Sequence, residues 1–447
     1  MDPSTTTRTR APVRHRVLAA AGAGVLLFTA LPAGVASAHG GGHTLRVGPG
    51  EQFTTIQAAV DRAVSGDTIR IAPGNYREAV CIEGEGLTIR GAGTGLTNIV
   101  WPDWETPADL PALTPDQQRR PCWAEQERVD GEDDPGTLAD NVSALFFLDP
   151  DSEVRVSGLT TRNHPASGIV TRGARGFSVT GTSGYWHDRY GILALDSTGV
   201  RISGNHEFGL DRGTDTTPNA GTAGISVGDS DHADARISGN HVEAYDLGIF
   251  LREARGGRVA GNALSGNCIG LLLFDDVATE VPDQTRDVPS GAFRITGNLS
   301  TDNDRYCLQG RMGDQHVSGV GMQVVNADDV TIAGNVIAGN TAELPASVPF
   351  LTNPAGGLTL ISLPAFNAPP GASAGPVEDV RVGGNYFRDN VALVPVGGPP
   401  PTRSVQAPVD VFVGSPMVPP LLDAGEGLEF RGNHCDASIP ATICDPV

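Results

Sequence analysis

A short phrase returns along most of the chain: an apolar residue, a variable one, Ile or Val, a small residue, then Gly-Asn. It reads Val200-Arg201-Ile202-Ser203-Gly204-Asn205, and copies follow at 235–240, 257–262, 293–298, 330–335, 380–385 and 428–433. A second phrase, Gly followed by Ile or Leu and then alternating residues, starts at Gly168, Gly191, Gly224, Gly248, Gly270, Gly321 and Gly357. The closest copies lie 22 to 24 residues apart. Two strand-like phrases recurring at that period specify stacked coils rather than a globular sheet. The fold class expected is all-β: a single-stranded right-handed parallel β-helix closed at its N-terminal end by a short helix. Each coil would place equivalent residues in ladders about 4.8 Å apart along the solenoid.

The 447 residues would fit several ordinary domains, but the repeat runs through most of them, so one elongated domain is expected over 51–447. Residues 1–38 read as a secretory signal peptide. Arg8, Arg10, Arg14 and Arg16 precede an apolar stretch at 17–30, and Ala36-Ser37-Ala38 supplies the small-residue cleavage site. The apolar stretch is too short for a membrane span and is broken by Gly22, Gly24 and Pro32. Residues 39–50 read as a flexible lead-in. A secreted, extracellular monomer without a membrane span is the expectation.

The net charge of −21 argues against a nucleic-acid partner, because phosphate binding is driven by cationic contacts. All cations are Arg; the chain has no Lys. Six cysteines in an exported chain favour disulfides, and Cys435 with Cys444, Cys268 with Cys307 and Cys81 with Cys122 are the pairs proposed among 15 possible connectivities. The first of these would form a C-terminal cap over 434–447. A zinc site is the weaker alternative, since no Cys-x-x-Cys occurs.

Thr55 is a candidate cap for a short helix with Ile56, Ala59, Val60, Ala63 and Val64 on one face. The run Ile56-Gln57-Ala58-Ala59-Val60, then Gly66-Asp67-Thr68-Ile69, Pro73-Gly74-Asn75-Tyr76 and Leu87-Thr88-Ile89-Arg90-Gly91 resembles the N-terminal cap of pectin-lyase-like right-handed parallel β-helix proteins. The Gly-Asn phrases resemble the repeat shared by carbohydrate-binding and sugar-hydrolase domains and by periplasmic copper-binding repeat proteins. That resemblance implies the fold; the superfamily mixes lyases, hydrolases, epimerases, adhesins and inactive relatives. Residues 101–140, with Trp101, Trp104 and Trp123, break the repeat and read as an insertion, as do 206–223, 276–292, 299–320, 341–356 and 363–376.

Four columns bear on function. The Asn ladder (Asn205, Asn240, Asn262, Asn298, Asn335, Asn385, Asn433) reads as structural, since Asn bonds turn backbone and stacked copies satisfy one another. Asp196, Asp229, Glu253 and Asp275 stack at the end of the Gly-Ile strands and are either turn residues or a calcium site. Arg155, Arg201, Arg236, Arg258, Arg294 and Arg381 form a cationic column that either pairs with neighbouring acids, as Asp196 with Arg201, or holds a polyuronate. Apolar residues at outward positions (Leu193, Leu195, Phe250, Leu272, Phe274) are expected to be roofed by an insertion.

The sharpest catalytic constellation precedes the Gly-Ile strands. His187, Asp188, Arg189 and Tyr190 are the candidate catalytic residues, and His164, Arg162, Tyr245, Asp246, Asn267, Arg305 and Tyr306 the candidate substrate-binding ones. Such groups could supply a base, an acid and a carboxylate clamp for an acidic sugar; packed polar turns are the alternative. An Arg, Tyr or His base would suit a polysaccharide lyase or epimerase. A hydrolase would need paired carboxylates, for which Asp275-Asp276 is a poor match. A copper site at His39 with His43 competes with a floppy glycine-rich leader. The expectation is a secreted β-helix that binds, and could modify, an acidic polysaccharide; the alternative is a non-catalytic β-helix for adhesion or envelope structure.

Overall fold

The computed structural model describes residues 42–130, 138–214, 220–275, 289–309, 315–363, 376–396, 403–414 and 425–444. The chain divides into Met1–Gly40 and Gly41–Val447. The signal-peptide segment, His39 and Asp276 lie outside the described residues.

Parallel strands wind into stacked coils with three faces, not the two that the sequence phrases suggest. The first face holds the Gly-Asn strands, such as Thr198–Ser203 and Ala235–Ser238. A second face is built of three-residue strands, such as His206–Phe208 and His241–Glu243. The third holds the Gly-Ile strands, such as Tyr190–Leu195 and Ile269–Phe274. The register is continuous: Ile202 pairs with Ile237, Ile237 with Val259 and Val259 with Ile295. The three-residue strands escape the sequence reading because three residues cannot display a period. Two expected insertions therefore begin with a strand, at His206–Phe208 and Leu299–Thr301.

Every face sends alternate side chains inward, and one apolar cluster runs unbroken from Leu45 to Cys444. Helix Ile56–Val60 closes the N-terminal end, with Thr55 accepting from the Ala58 amide. The helix buries its own Ile56, Ala59 and Val60, whereas Val64, expected on the same face, lies past the helix and is exposed. The seven Gly-Ile phrases of the third face keep their Gly because the coils touch there. A Cβ on Gly270 would sit 2.5 Å from the Gly321 carbonyl oxygen, and one on Gly248 2.3 Å from that of Gly270. No helix among the described residues is long and apolar enough to cross a membrane.

The corner after the first face carries the Asn ladder. The Asn262 side-chain oxygen accepts from the backbone N–H of Asn240 at 3.0 Å and from its side-chain amide at 2.9 Å. The amide of Asn262 in turn donates to the Ile237 carbonyl at 3.1 Å. One side chain thus satisfies two buried donors and one acceptor of the turn, which water cannot reach.

Candidate functional site

Five residues beyond the first ladder, at the corner leading into the third face, runs a second one. Asn267 donates to Asn303, Asn303 to Asn340 and Asn340 to Asn390, at 2.9, 2.8 and 2.8 Å between side chains, and Asn390 ends on Asp410 at 2.9 Å. Tyr245 continues the column upward, its backbone N–H donating to Asn267 Oδ1 at 3.0 Å. His187 holds the equivalent rung: Thr182 stands at the level of Asn205, to which its backbone donates, and His187 is five residues further on. Its Nδ1 accepts from the His164 backbone N–H at 3.3 Å, as an Asn oxygen does lower down.

This placement overturns the catalytic role expected for His187 and the substrate-binding roles of His164, Tyr245 and Asn267. His164 is 0% exposed, His187 1%, Tyr245 0% and Asn267 0%. His187 Nε2 meets Thr161 Oγ1 at 2.9 Å, and His164 Nε2 donates to the Glu78 carbonyl at 3.0 Å. Burial lowers the His164 pKa to about 4. Burial, and then the neighbouring His164 and Arg212, lower that of His187 well below the usual imidazole range. Both rings are neutral packing groups, closed off by residues 101–106. Trp101 packs 5.9 Å from the His164 ring, and the Trp104 indole donates to the Asn163 carbonyl at 3.0 Å. Arg212, absent from the sequence-based set, caps the corner: its guanidinium lies 4.1 Å over Trp104, bonds Asn163 Oδ1 at 2.6 Å and pairs with Asp188 at 3.4 Å. Its only signal in the sequence was membership of an insertion.

The other candidates scatter. Arg162 is exposed on the second face, with its guanidinium over Tyr185 and Trp186 at 5.1 and 4.7 Å. Arg189 and Tyr190 are half-buried, and Tyr190 packs between two apolar clusters. Asp246 lies beneath the roof, where burial raises its pKa to about 8 against the opposing pull of Arg305. It accepts from Gln309 at 3.2 Å, and Arg305 pairs with Asp211 at 2.6 Å. Tyr306 bonds His316 Nδ1 at 2.6 Å inside the hairpin of Tyr306–Gln309 and Gln315–Ser318.

The outward side of the third face is roofed. One apolar cluster joins Phe146, Val170, Leu193 and Leu195 to Trp101, Trp104 and Trp123; another joins Phe250 and Leu272 to Val317, Leu351 and Ala392. Disulfides anchor both covers, Cys81–Cys122 on the first and Cys268–Cys307 on the second, while Cys435–Cys444 closes the C-terminal end. The acidic column takes the turn reading and not the calcium one. Asp196, Asp229 and Glu253 adopt φ of 43°, 48° and 47°, the left-handed conformation in which short polar residues serve corners. Buried Asp275 accepts from the Ser290 backbone at 2.9 Å. Among the described residues these four side chains do not gather into a common donor set.

The first face stays open. Arg201, Arg236, Arg258 and Arg294 stand side by side in register and exposed. Arg155 pairs with Glu153, Arg201 with Asp234 at 3.8 Å rather than with Asp196, and Arg381 with Glu429 at 3.8 Å. Among the described residues, Arg236, Arg258 and Arg294 make no ion pair. Beside them runs a second outward column of Ser203, Ser238, Ala260 and Thr296.

Residues 167–348 match the family model described as right handed beta helix region. Solved structures similar to this chain include the periplasmic alginate epimerase AlgG, with 15% identity over 83% of this chain and 69% of that one and a TM-score of 0.44. Others are the mannuronan C-5 epimerase A-module of Azotobacter vinelandii (13% identity, 85% and 92% covered, TM-score 0.40) and the catalytic domain of a GH87 alpha-1,3-glucanase in complex with nigerose (12%, 88% and 66%, 0.35). No curated protein sequence matches the chain. The register of its own strands makes the described chain a right-handed parallel β-helix, and residues 167–348 are the part that the family model matches.

Proposed function

We propose that this protein is an exported polysaccharide-binding β-helix that holds an extended acidic glycan along its arginine face. The observation carrying this reading is the run of Arg236, Arg258 and Arg294, exposed on consecutive rungs and unpaired among the described residues of a protein whose net charge is −21. Rungs about 4.8 Å apart present one guanidinium fork per coil, a spacing close to that of successive sugars in an extended chain. The planar fork matches a carboxylate better than a point charge does, and the Ser238 hydroxyl beside Arg236 suits a sugar hydroxyl. Three disulfides fit an oxidising compartment, which supports export.

A lyase or epimerase would need a solvent-facing base beside a carboxylate clamp. His187 is buried as a ladder rung, so binding rather than turnover at that constellation is the function assigned. The test is affinity electrophoresis in gels carrying polygalacturonate, alginate or a neutral glucan. The wild-type protein should be retarded by the acidic gels alone, less so as salt screens the contact. Arg236→Gln/Arg258→Gln/Arg294→Gln should weaken binding at least tenfold. Equal retardation of that variant, or equal binding to the neutral glucan, would sink the proposal; unsaturated or epimerised product would restore the enzymatic reading.

A further inference from the structure

The second face carries a separate cluster that the arginine face does not use. His206 and His241 occupy paired outward positions on adjacent rungs, with ring centroids 4.8 Å apart and planes at 80°. Glu243 lies two residues along the same strand and on the same side as His241, with its Oε2 3.2 Å from His241 Nε2. Glu207 and Val242, between them in sequence, point into the core, so the alternation of the strand sets all three groups facing outward. One donor atom from each side chain lies within 4.8 Å of the others. His206 Nε2 is buried with no hydrogen-bond partner, although the ring has a polar neighbour on the next coil. On the rung beyond His241 stands Ala263, which leaves that side of the cluster uncrowded.

We infer that His206, His241 and Glu243 form a binding site for a divalent transition-metal ion of the zinc type. Two imidazoles and a carboxylate suit zinc, whereas calcium and magnesium prefer oxygen ligands alone. Zinc sits about 2.0–2.2 Å from such donors, and half-exposed His241 and Glu243 can turn to close the remaining gap without moving the backbone. Three protein ligands leave a fourth position for water or a ligand oxygen.

The experiment is zinc titration of the full chain against a chromophoric chelator at neutral pH, with circular dichroism to confirm that each variant is folded. The wild type should take up a zinc ion that His241→Ala and Glu243→Gln each weaken at least tenfold and His206→Ala/His241→Ala abolishes. His164→Asn/His187→Asn, in the buried ladder, should bind as the wild type does. Undiminished uptake by His206→Ala/His241→Ala, or uptake lost instead on His39→Ala/His43→Ala, would overturn the site, as would no uptake by the wild type. These readouts are independent of glycan binding, so either proposal can fail alone.

Discussion

The first and third faces share one backbone plan and opposite treatments. Both are parallel sheets paired from coil to coil, and both send Ile, Leu and Val inward to one core. On the third face the outward positions are also apolar, and two separate covers close over them. On the first face the outward positions of these coils are Arg, with Ser, Ala or Thr beside it, and among the described residues no apolar cluster covers them. A parallel sheet is ordinarily buried on both sides. Here one side of the solenoid obeys that rule by recruiting insertions, and the other is left wet by its charges. Availability for an extended ligand follows from the outward residues, not from the strand geometry.

The largest test of that contrast is removal of a roof anchor. Trp123 is fully buried between the cover and the third face. Trp123→Ala should lower stability by about 3–5 kcal/mol, seen as a fall in the denaturant midpoint. A loss below about 1 kcal/mol would mean that the cover is not part of the fold's stability.

Next comes the ladder. Asn262→Ala strips a partner from the Asn240 backbone and side chain and from the Ile237 carbonyl, and should cost about 1–3 kcal/mol. A neutral outcome would show that the stacked side chains contribute little beyond shape.

The histidine rungs sharpen the comparison through pH. A histidine with a depressed folded pKa binds its proton more readily when unfolded, so its stability contribution is lost as pH falls below the unfolded value of about 6.5. For His164, with a folded pKa of about 4, the loss reaches about 2 kcal/mol near pH 5. Asp246, raised to about 8, works in the opposite sense and loses stability as pH rises through that range. His164→Asn/His187→Asn should therefore match the wild type near pH 7 and exceed it at pH 5, with the Asp246 contribution common to both. Chemical denaturation at the two pH values checks this, and equal pH dependence in both proteins would refute the buried-neutral assignment.

The smallest expected effect belongs to the open face. Arg236→Gln, Arg258→Gln and Arg294→Gln should each change stability by less than about 0.5 kcal/mol, because exposed residues without partners add little to the fold. A large loss in thermal melts would move those arginines from binding to structure.

Much of the fold was legible because its signals are local and repeated. Gly-Asn marks the same corner in each copy of the repeat, and the Gly of the Gly-Ile phrase is required because a Cβ there would lie 2.5 Å or less from the next coil's carbonyl oxygen, as at Gly248 and Gly270. The site was not legible in the same way. Asn262 and Asn267, Asn298 and Asn303, Asn335 and Asn340, and Asn385 and Asn390 repeat a five-residue offset that marks the second ladder. His187 and Tyr245 take that position with different chemistry, and so read as reactive groups. Only the pairing of Thr182 with Asn205 places His187 on the same rung system. The short second face, which brings His206 beside His241, left no period to detect.

From the sequence alone came the coil, its core columns, the Arg column and the expectation that the apolar stripe is covered, since each follows from side-chain alternation within a strand. The tertiary structure decided which outward columns meet water. That depends on where residues 101–130, 306–309 and 315–318 of two insertions fold back, on the Arg212 contacts that lock one corner, and on which acids reach which arginines. Those contacts join residues tens of positions apart. Burial, which turns a histidine from a base into a packing group, is a property of what covers it and not of its neighbours in the chain.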